Sequence, residues 1–163
     1  MSDQLNEINE IPEEKKQFCT FHLGNRFFGI EILDVKEIIE EIKITTIYHA
    51  PDEILGFINV RGQVHLIIDL RVLLNFDKKE INTDNRIILF NSHVGESFGV
   101  LIDRIGHMVE VYEHQIEYRI HDDKSIHIKS NDSLSKFAIG ACKLQQLMIL
   151  LDAKKFLKNI KKQ

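Results

Sequence analysis

The stretch Gly56–Arg71, GFINVRGQVHLIIDLR, decides how the rest of the chain is interpreted. Its centre, Arg61-Gly62, predicts a tight hairpin, because glycine adopts positive φ without steric cost. The apolar segment Val64–Ile68 predicts a central strand that is buried on both faces. Asp69 ends this segment and can cap the helical turn that follows. The stretch therefore predicts a β-hairpin whose second strand lies in the core of a β-rich domain.

Similar short strand patterns lie on both sides of this hairpin. The predicted strands are Phe18–Leu23, Phe27–Ile32, Ile44–Tyr48, Phe57–Val60, Val64–Ile68, Arg86–Asn91, Phe98–Ile102, Ile105–Tyr112, Phe137–Ala141 and Leu147–Leu151. The polar segment Glu117–Ser135 predicts a long loop. Many short strands with little helix favour barrels over a sheet built from βαβ units. The predicted fold class is all-β.

Two short helices are predicted beside these strands. Asp34 and Glu37 have the spacing of a capping box. The apolar residues that follow recur at i, i+3, i+4 and i+7, which predicts an amphipathic helix after the second strand: Val35, Ile38, Ile39 and Ile42. The segment Ala153–Ile160 carries apolar residues on one helical face and predicts a C-terminal docking helix.

The order of features is repeated in the two halves of the chain. Phe28-Gly29 is matched by Phe98-Gly99, and Ile67-Ile68-Asp69 is matched by Leu150-Leu151-Asp152. Two matches in the same order favour a duplication over chance similarity between hairpins. The sequence therefore predicts two pseudo-equivalent five-stranded barrels with a groove where they meet.

The composition is that of one globular domain. The chain has 163 residues, of which 44% are hydrophobic and 28% charged, with a net charge of −4. Residues 1–16 are polar and acidic and predict a flexible tail, which leaves 17–160 as a single domain made of the two barrels. The start of the sequence lacks an apolar secretory segment, and no apolar run is long enough to span a bilayer. We expect a cytoplasmic protein without direct membrane insertion.

Motifs of common catalytic sites are absent from the sequence. There is no GxxxxGK[ST] loop and no GxSxG elbow, and Cys19 and Cys142 have no evident catalytic partners. No two histidines have the i, i+4 spacing of helical zinc motifs, and the nearest approach to a metal cluster is His107, Glu110, Glu113 and His114. We therefore expect no enzymatic activity, no cofactor and no metal site.

The central stretch resembles a known family signature. Its pattern G-x-x-N-V-R-G, followed by an apolar strand and D-L-R, is similar to that of the CheW family. Three further segments resemble the family in the same order: FHLGNRFFGIEILDVKEI from Phe21, FGVLIDRIGHMVEV from Phe98 and LMILLDAKKFL from Leu147. The resemblance covers about Gln17–Leu157. It implies two intertwined SH3-like barrels and an adaptor that couples methyl-accepting chemotaxis receptors to a CheA-type histidine kinase.

The resemblance also implies a binding site. In similar proteins the groove between the barrels receives the receptor's cytoplasmic hairpin tip, and one end of the first barrel packs on the kinase's regulatory domain. Residues matching the receptor-side positions are Val35, Glu37, Gly56, Asn59, Arg61, Ile87 and Gly99. Glu37 and Arg61 are expected to form an ion pair beside the groove. Arg61 is the strongest candidate, because a charged hairpin tip adds little stability but can anchor an interface.

Several of these residues can instead be present for structural reasons, and two other functions remain possible. Gly56 and Gly99 can serve backbone shape alone, and Asn59 can bond to its own hairpin. A small barrel with C-terminal lysines can also bind nucleic acid, although the net charge of −4 disfavours that partner and a gel-shift assay tests it. An enzyme with an unrecognised site is the third possible function. The sequence departs from the family at His65-Leu66, where proline is usual before the D-L-R strand.

Overall fold

The computed structural model describes residues 13–118 and 133–160. This part of the chain contains twelve strands: β1 Lys15–Leu23, β2 Arg26–Glu31, β3 Val35–Ile39, β4 Ile54–Val60, β5 Gln63–Asp69, β6 Arg86–Phe90, β7 Phe98–Ile102, β8 Arg104–Ile105, β9 Val109–Tyr112, β10 Ile116–Tyr118, β11 Ala138–Lys143 and β12 Leu147–Leu151. Helix α1 spans Leu70–Leu73 and helix α2 spans Lys154–Lys158, and one-turn 3-10 segments lie at Ile32–Asp34, Glu113–Gln115 and Ser133–Lys136. The prediction of an all-β fold with short helices is confirmed.

The strands form two SH3-like barrels that exchange hairpins. One sheet has the order β10-β11-β12-β2-β1-β8, with β9 also paired to β1, and the other has the order β3-β6-β7-β5-β4. The hairpin β1–β2 joins the C-terminal strands through a parallel pairing of β2 with β12. The hairpin β6–β7 joins the central strands through a parallel pairing of β7 with β5. Each barrel therefore depends on both halves of the chain, as expected for intertwined units.

The strand registers agree with the duplication seen in the sequence. In the first sheet Gly29 lies opposite Leu150, and in the second Gly99 lies opposite Ile67, so residues matched in the sequence also pair with matched partners. Asp69 accepts a hydrogen bond from the backbone nitrogen of Arg71 at 3.1 Å. Its counterpart Asp152 accepts one from the nitrogen two residues further on at 3.0 Å.

Among the described residues, three clusters of buried apolar side chains form the cores of the two barrels. The largest draws buried residues from both sheets and from helix α2, including Phe21, Phe98 and Phe156, so it lies between the barrels. A second cluster, around Met148, comes from the strands of the first sheet. The third, around Ile87, comes from the second sheet and the segment after β3. Both faces of the second sheet are thus covered by apolar packing.

A short helix does follow the second strand, but it is the one-turn 3-10 segment Ile32–Asp34, and the amphipathic helix predicted over Val35, Ile38, Ile39 and Ile42 is wrong. Val35–Ile39 is strand β3, which pairs antiparallel with β6 and contains a register shift between Val35 and Glu37. Val35 packs against the core between the barrels, whereas Ile39 packs against the opposite core. The strand places apolar residues on both of its faces, and the register shift breaks the strict alternation of faces along it. The resulting spacing of apolar residues resembles that of an amphipathic helix. Branched Val and Ile side chains also favour the strand.

Several boundaries differ from those predicted. The expected strand Ile44–Tyr48 is reduced to a single bridge from Thr45 to Phe57. The expected strand Ile105–Tyr112 is interrupted between β8 and β9. Strand β10 enters the predicted loop Glu117–Ser135, and residues 119–132 of that loop lie outside the described residues, as do residues 1–12 of the predicted tail. Within residues 13–118 and 133–160, no helix has the length and apolar character needed to cross a membrane.

Candidate partner-binding site

The candidate site begins at the turn between β4 and β5. Val60 pairs with Gln63, so Arg61 and Gly62 form a two-residue turn. Their φ angles of 50° and 85° are those of a type I′ turn, which suits the right-handed twist of the strands. Asn59 accepts a hydrogen bond from the backbone nitrogen of Gly62 at 2.9 Å. Asn59 and Gly62 therefore have structural reasons to be present, whereas Arg61 occupies a conformation better suited to Asn or Gly.

Arg61 is held by Glu37 in the ion pair that the sequence predicted. Nη1 donates to Oε1 at 3.0 Å and Nη2 donates to Oε2 at 2.5 Å. The hydrogen bonds from Arg61 lower the pKa of the Glu37 carboxyl, and those to Glu37 raise the pKa of the Arg61 guanidinium. The arginine side chain is 71% exposed and that of Glu37 29%. An exposed pair of this kind contributes little to the stability of the fold.

This ion pair closes the end of a barrel. Glu37 lies on β3 and Arg61 follows β4, and these are the two edge strands of the five-stranded sheet. A contact between opposite edges requires the sheet to curl until the edges approach each other. The pair therefore presents a guanidinium and a carboxylate, both solvent-accessible, at the rim of the barrel formed by β3–β7.

A buried histidine lies behind the pair. His65 on β5 is 2% exposed, and its Nδ1 has no hydrogen-bond partner among the described residues. Burial lowers the pKa of its ring, the positive charges of Lys36 and Arg61 lower it further, and Glu37 opposes this effect. An unpaired buried nitrogen costs about 1–3 kcal/mol. The sequence marked this position only as a departure from the family pattern.

The remaining predicted site residues lie largely inside the fold. Ile87 is fully buried in the barrel core, and Val35 is half-buried against the core between the barrels. Gly56 has a φ of 147°, and a Cβ there would lie 2.1 Å from the carbonyl oxygen of Thr45. A Cβ on Gly99 would lie 2.6 Å from the oxygen of Ile88. Glycine is required at both positions by backbone packing, and of the seven predicted residues the structure brings together Glu37, Asn59 and Arg61 at the surface.

A partly buried ion pair lies at the junction between the barrels, and sequence reasoning did not find it. Arg71 on α1 donates from Nε and Nη2 to the two carboxylate oxygens of Asp103, both at 2.7 Å. The backbone nitrogen of Gly24, in the β1–β2 turn, donates to the same carboxylate at 2.7 Å. Burial alone would raise the pKa of Asp103, but the bonds from Arg71 and Gly24 outweigh it and lower that pKa. The D-L-R motif is the sequence feature that marks this arginine.

Three of the four residues considered as metal ligands have other side-chain partners. Glu110 pairs with Lys15 at 3.3 Å, and Glu113 accepts a hydrogen bond from the hydroxyl of Tyr118 at 2.5 Å. His114 contacts Glu13. Within the two described ranges, no three His, Cys, Asp or Glu side chains are grouped so that they could hold a metal ion.

Two SH3-like barrels that share a core, with a charged hairpin tip at one rim, define an intertwined double-barrel domain. A family model described as a CheW-like domain matches residues 17–161. The chain belongs to the CheW family, as the resemblance implied.

Relatives and a solved structure support this assignment. The chain is 31% identical over 108 residues to the chemotaxis protein CheW of Helicobacter pylori, covering 66% of this chain and 65% of that protein, just under two thirds of its length. It is 29% identical over 145 residues to the chemotaxis protein CheW of Klebsiella aerogenes, covering 88% and 82%. The crystal structure of the scaffolding protein TtCheW from Thermoanaerobacter tengcongensis superposes with a TM-score of 0.72 at 26% identity, covering 85% of this chain and 89% of that one.

Proposed function

We propose that this protein is a non-catalytic cytoplasmic adaptor that couples methyl-accepting chemotaxis receptors to a CheA-type histidine kinase. Family membership and the names of the relatives, which are chemotaxis proteins and a scaffolding protein, support this proposal. The adaptor acts by binding alone, so its effect on the kinase is a coupling free energy between two binding surfaces.

The observation that carries the proposal is the state of Arg61. A left-handed backbone costs a residue with a side chain roughly 1–2 kcal/mol, and the exposed ion pair with Glu37 offsets little of this cost. Folding alone therefore favours a different residue at this tip. The guanidinium is nevertheless held in a fixed orientation and remains exposed. An exposed arginine whose guanidinium is held in one orientation by a neighbouring carboxylate suits an interface anchor.

The receptor tip is the proposed partner of this rim, and the resemblance supports that choice. The tip docks beside Glu37, Asn59 and Arg61 in the groove between the barrels. Gly56, Ile87 and Gly99 contribute indirectly, because they shape the barrel that carries the rim. The kinase's regulatory domain docks at one end of the first barrel, as the resemblance implies, so that both partners bind at the same time.

Binding of a soluble receptor cytoplasmic fragment tests the receptor side. Isothermal titration calorimetry compares the wild type with Arg61→Ala and Glu37→Ala, and with Arg26→Ala as the matched control. Arg26 is also exposed, and it directly follows the two-residue turn of the β1–β2 hairpin in the other barrel. We expect at least about tenfold weaker binding for Arg61→Ala, a smaller loss for Glu37→Ala and wild-type affinity for the control. Equal affinities for Arg61→Ala and the wild type would remove Arg61 from the interface.

A further inference from the structure

A polar pocket opens beside the Glu37–Arg61 pair. It has a volume of about 360 Å³ and is lined by Lys36, Gln63, His65, Phe90, Asn91, Ser92, Glu96 and Ser97. Lys36 precedes Glu37 on β3, and Gln63 follows the turn that carries Arg61. A partner that covers the pair therefore also covers the mouth of this pocket.

The walls of the pocket are built from hydrogen-bonding side chains. The Nζ of Lys36 donates to Oε1 of Gln63 at 3.3 Å, and Nε2 of Gln63 donates to Oγ of Ser97 at 3.1 Å. Both bonds are exposed and can be exchanged for bonds to a partner at little cost. The two bonds connect β3, β5 and Ser97, the residue before β7, across the mouth of the pocket. Gln63 is on the same strand as His65.

His65 is the member of the lining that the fold does not explain. Its ring is almost completely buried, yet Nδ1 has no hydrogen-bond partner among the described residues. Buried polar atoms in proteins are nearly always paired, so an unpaired one calls for an explanation. An apolar side chain of the same size would fill the space without this unpaired atom.

The charges around the ring restrict what can enter. Lys36 and Arg61 lie near enough to His65 to disfavour a second positive charge, so a cationic group is excluded. A carboxylate can only accept hydrogen bonds, so it would pair with one tautomer of the neutral ring alone, and it would meet the carboxylates of Glu37 and Glu96. A hydroxyl or carboxamide can donate and accept, so it can pair with either tautomer of the neutral ring.

We propose that this pocket receives a hydroxyl or carboxamide side chain of the receptor tip, and that His65 is the residue that selects it. The proposal rests on the proposed function, because it assumes that a receptor tip covers the rim. It adds a determinant of receptor choice in a part of the strand where the resemblance leads us to expect proline.

Two variants separate recognition from packing. His65→Leu removes the ring nitrogens and keeps an apolar filling, and His65→Gln keeps a neutral group that can donate and accept. We expect His65→Leu to bind a soluble receptor cytoplasmic fragment about 3- to 10-fold more weakly, as for loss of one neutral hydrogen bond. His65→Gln should remain within about twofold of the wild type. Neither variant should change the affinity for the kinase's regulatory domain.

A double-mutant cycle identifies the side chain that enters the pocket. Each Ser, Thr, Asn and Gln at the receptor tip is replaced by alanine, and binding to the wild type is compared with binding to His65→Leu. One replacement should weaken binding to the wild type about 3- to 10-fold and have no further effect on His65→Leu. If His65→Leu fails to fold, the same alanine series is measured on the wild type and on His65→Gln. That comparison still shows whether a single receptor-tip residue contributes to the binding affinity.

The outcomes against the proposal are distinct. Wild-type affinity of His65→Leu, or strictly additive losses throughout the cycle, would show that His65 is only a core residue. Equal loss of receptor and kinase binding would show a general structural effect and also overturn the proposal. If the receptor fragment fails to bind even the wild type, the proposed function itself fails, and the pocket proposal falls with it. If Arg61→Ala weakens binding and His65→Leu does not, the function survives and the pocket proposal fails.

Discussion

Replacing Arg71 with alanine perturbs the junction between the two barrels. The side chain is 8% exposed and makes three hydrogen bonds, two to Asp103 at 2.7 Å and one to the carbonyl oxygen of Asp77 at 2.8 Å. Truncation leaves the Asp103 carboxylate, which is 24% exposed, with the bond from the nitrogen of Gly24 as its one remaining hydrogen bond within the described part of the chain. Breaking a fully buried pair costs about 3–5 kcal/mol. Because Asp103 is partly hydrated, we expect Arg71→Ala to lower the free energy of unfolding by about 2–4 kcal/mol.

Urea unfolding followed by far-UV circular dichroism measures this loss. Lys43→Ala is the control, because Lys43 pairs with Glu41 at 3.0 Å and the two side chains are 84% and 78% exposed. The control should lose less than about 1 kcal/mol. Replacing Arg71 and Asp103 together by leucine should recover much of the loss, since no unpaired charge then remains. A loss below about 1 kcal/mol for Arg71→Ala would show that this pair does not fix the junction.

Three further predictions concern the site and its support. Arg61→Asn should raise the free energy of unfolding by roughly 0.5–1 kcal/mol in urea unfolding, because Asn-Gly suits a type I′ turn; a loss of stability would contradict the strain assigned to this residue. Gly56→Ala should cost about 2–4 kcal/mol in the same assay, whereas Gly62→Ala, where a Cβ has open space, should cost only about 1 kcal/mol of backbone strain. The folded-state pKa of His65 is lowered from 6.5, so the unfolded chain binds its proton more readily and wild-type stability should fall below about pH 6.5. His65→Leu should lack this pH-dependent loss of stability. Parallel stability–pH curves for the wild type and His65→Leu would contradict the lowered pKa of His65.

Much of the fold follows from local sequence patterns. Period-two alternation and hairpin chemistry give most of the strands, and Leu147–Leu151 has the predicted bounds. The duplication follows from matched residues, and it anticipated two similar barrels. The pairing of Glu37 with Arg61 was also expected.

The parts that were missed depend on contacts between distant segments. Strand β3 was predicted as a helix because its sheet has a core on each face, which local spacing does not reveal. The exchange of hairpins between barrels requires knowledge of long-range pairing. Arg71 and Asp103 are 32 residues apart, and only the folded chain shows that they meet. The burial of His65 likewise depends on β3 and β7 closing over β5.

Coupling requires that one protein hold receptor and kinase at the same time. Co-purification of a receptor cytoplasmic fragment on a tagged kinase regulatory domain, with and without this protein, measures that property. We expect the receptor fragment to be retained only when the protein is present. Arg61→Ala should stay on the kinase domain and lose the receptor fragment. Retention of the receptor fragment without the protein, or equal retention by Arg61→Ala and the wild type, would contradict coupling through this rim.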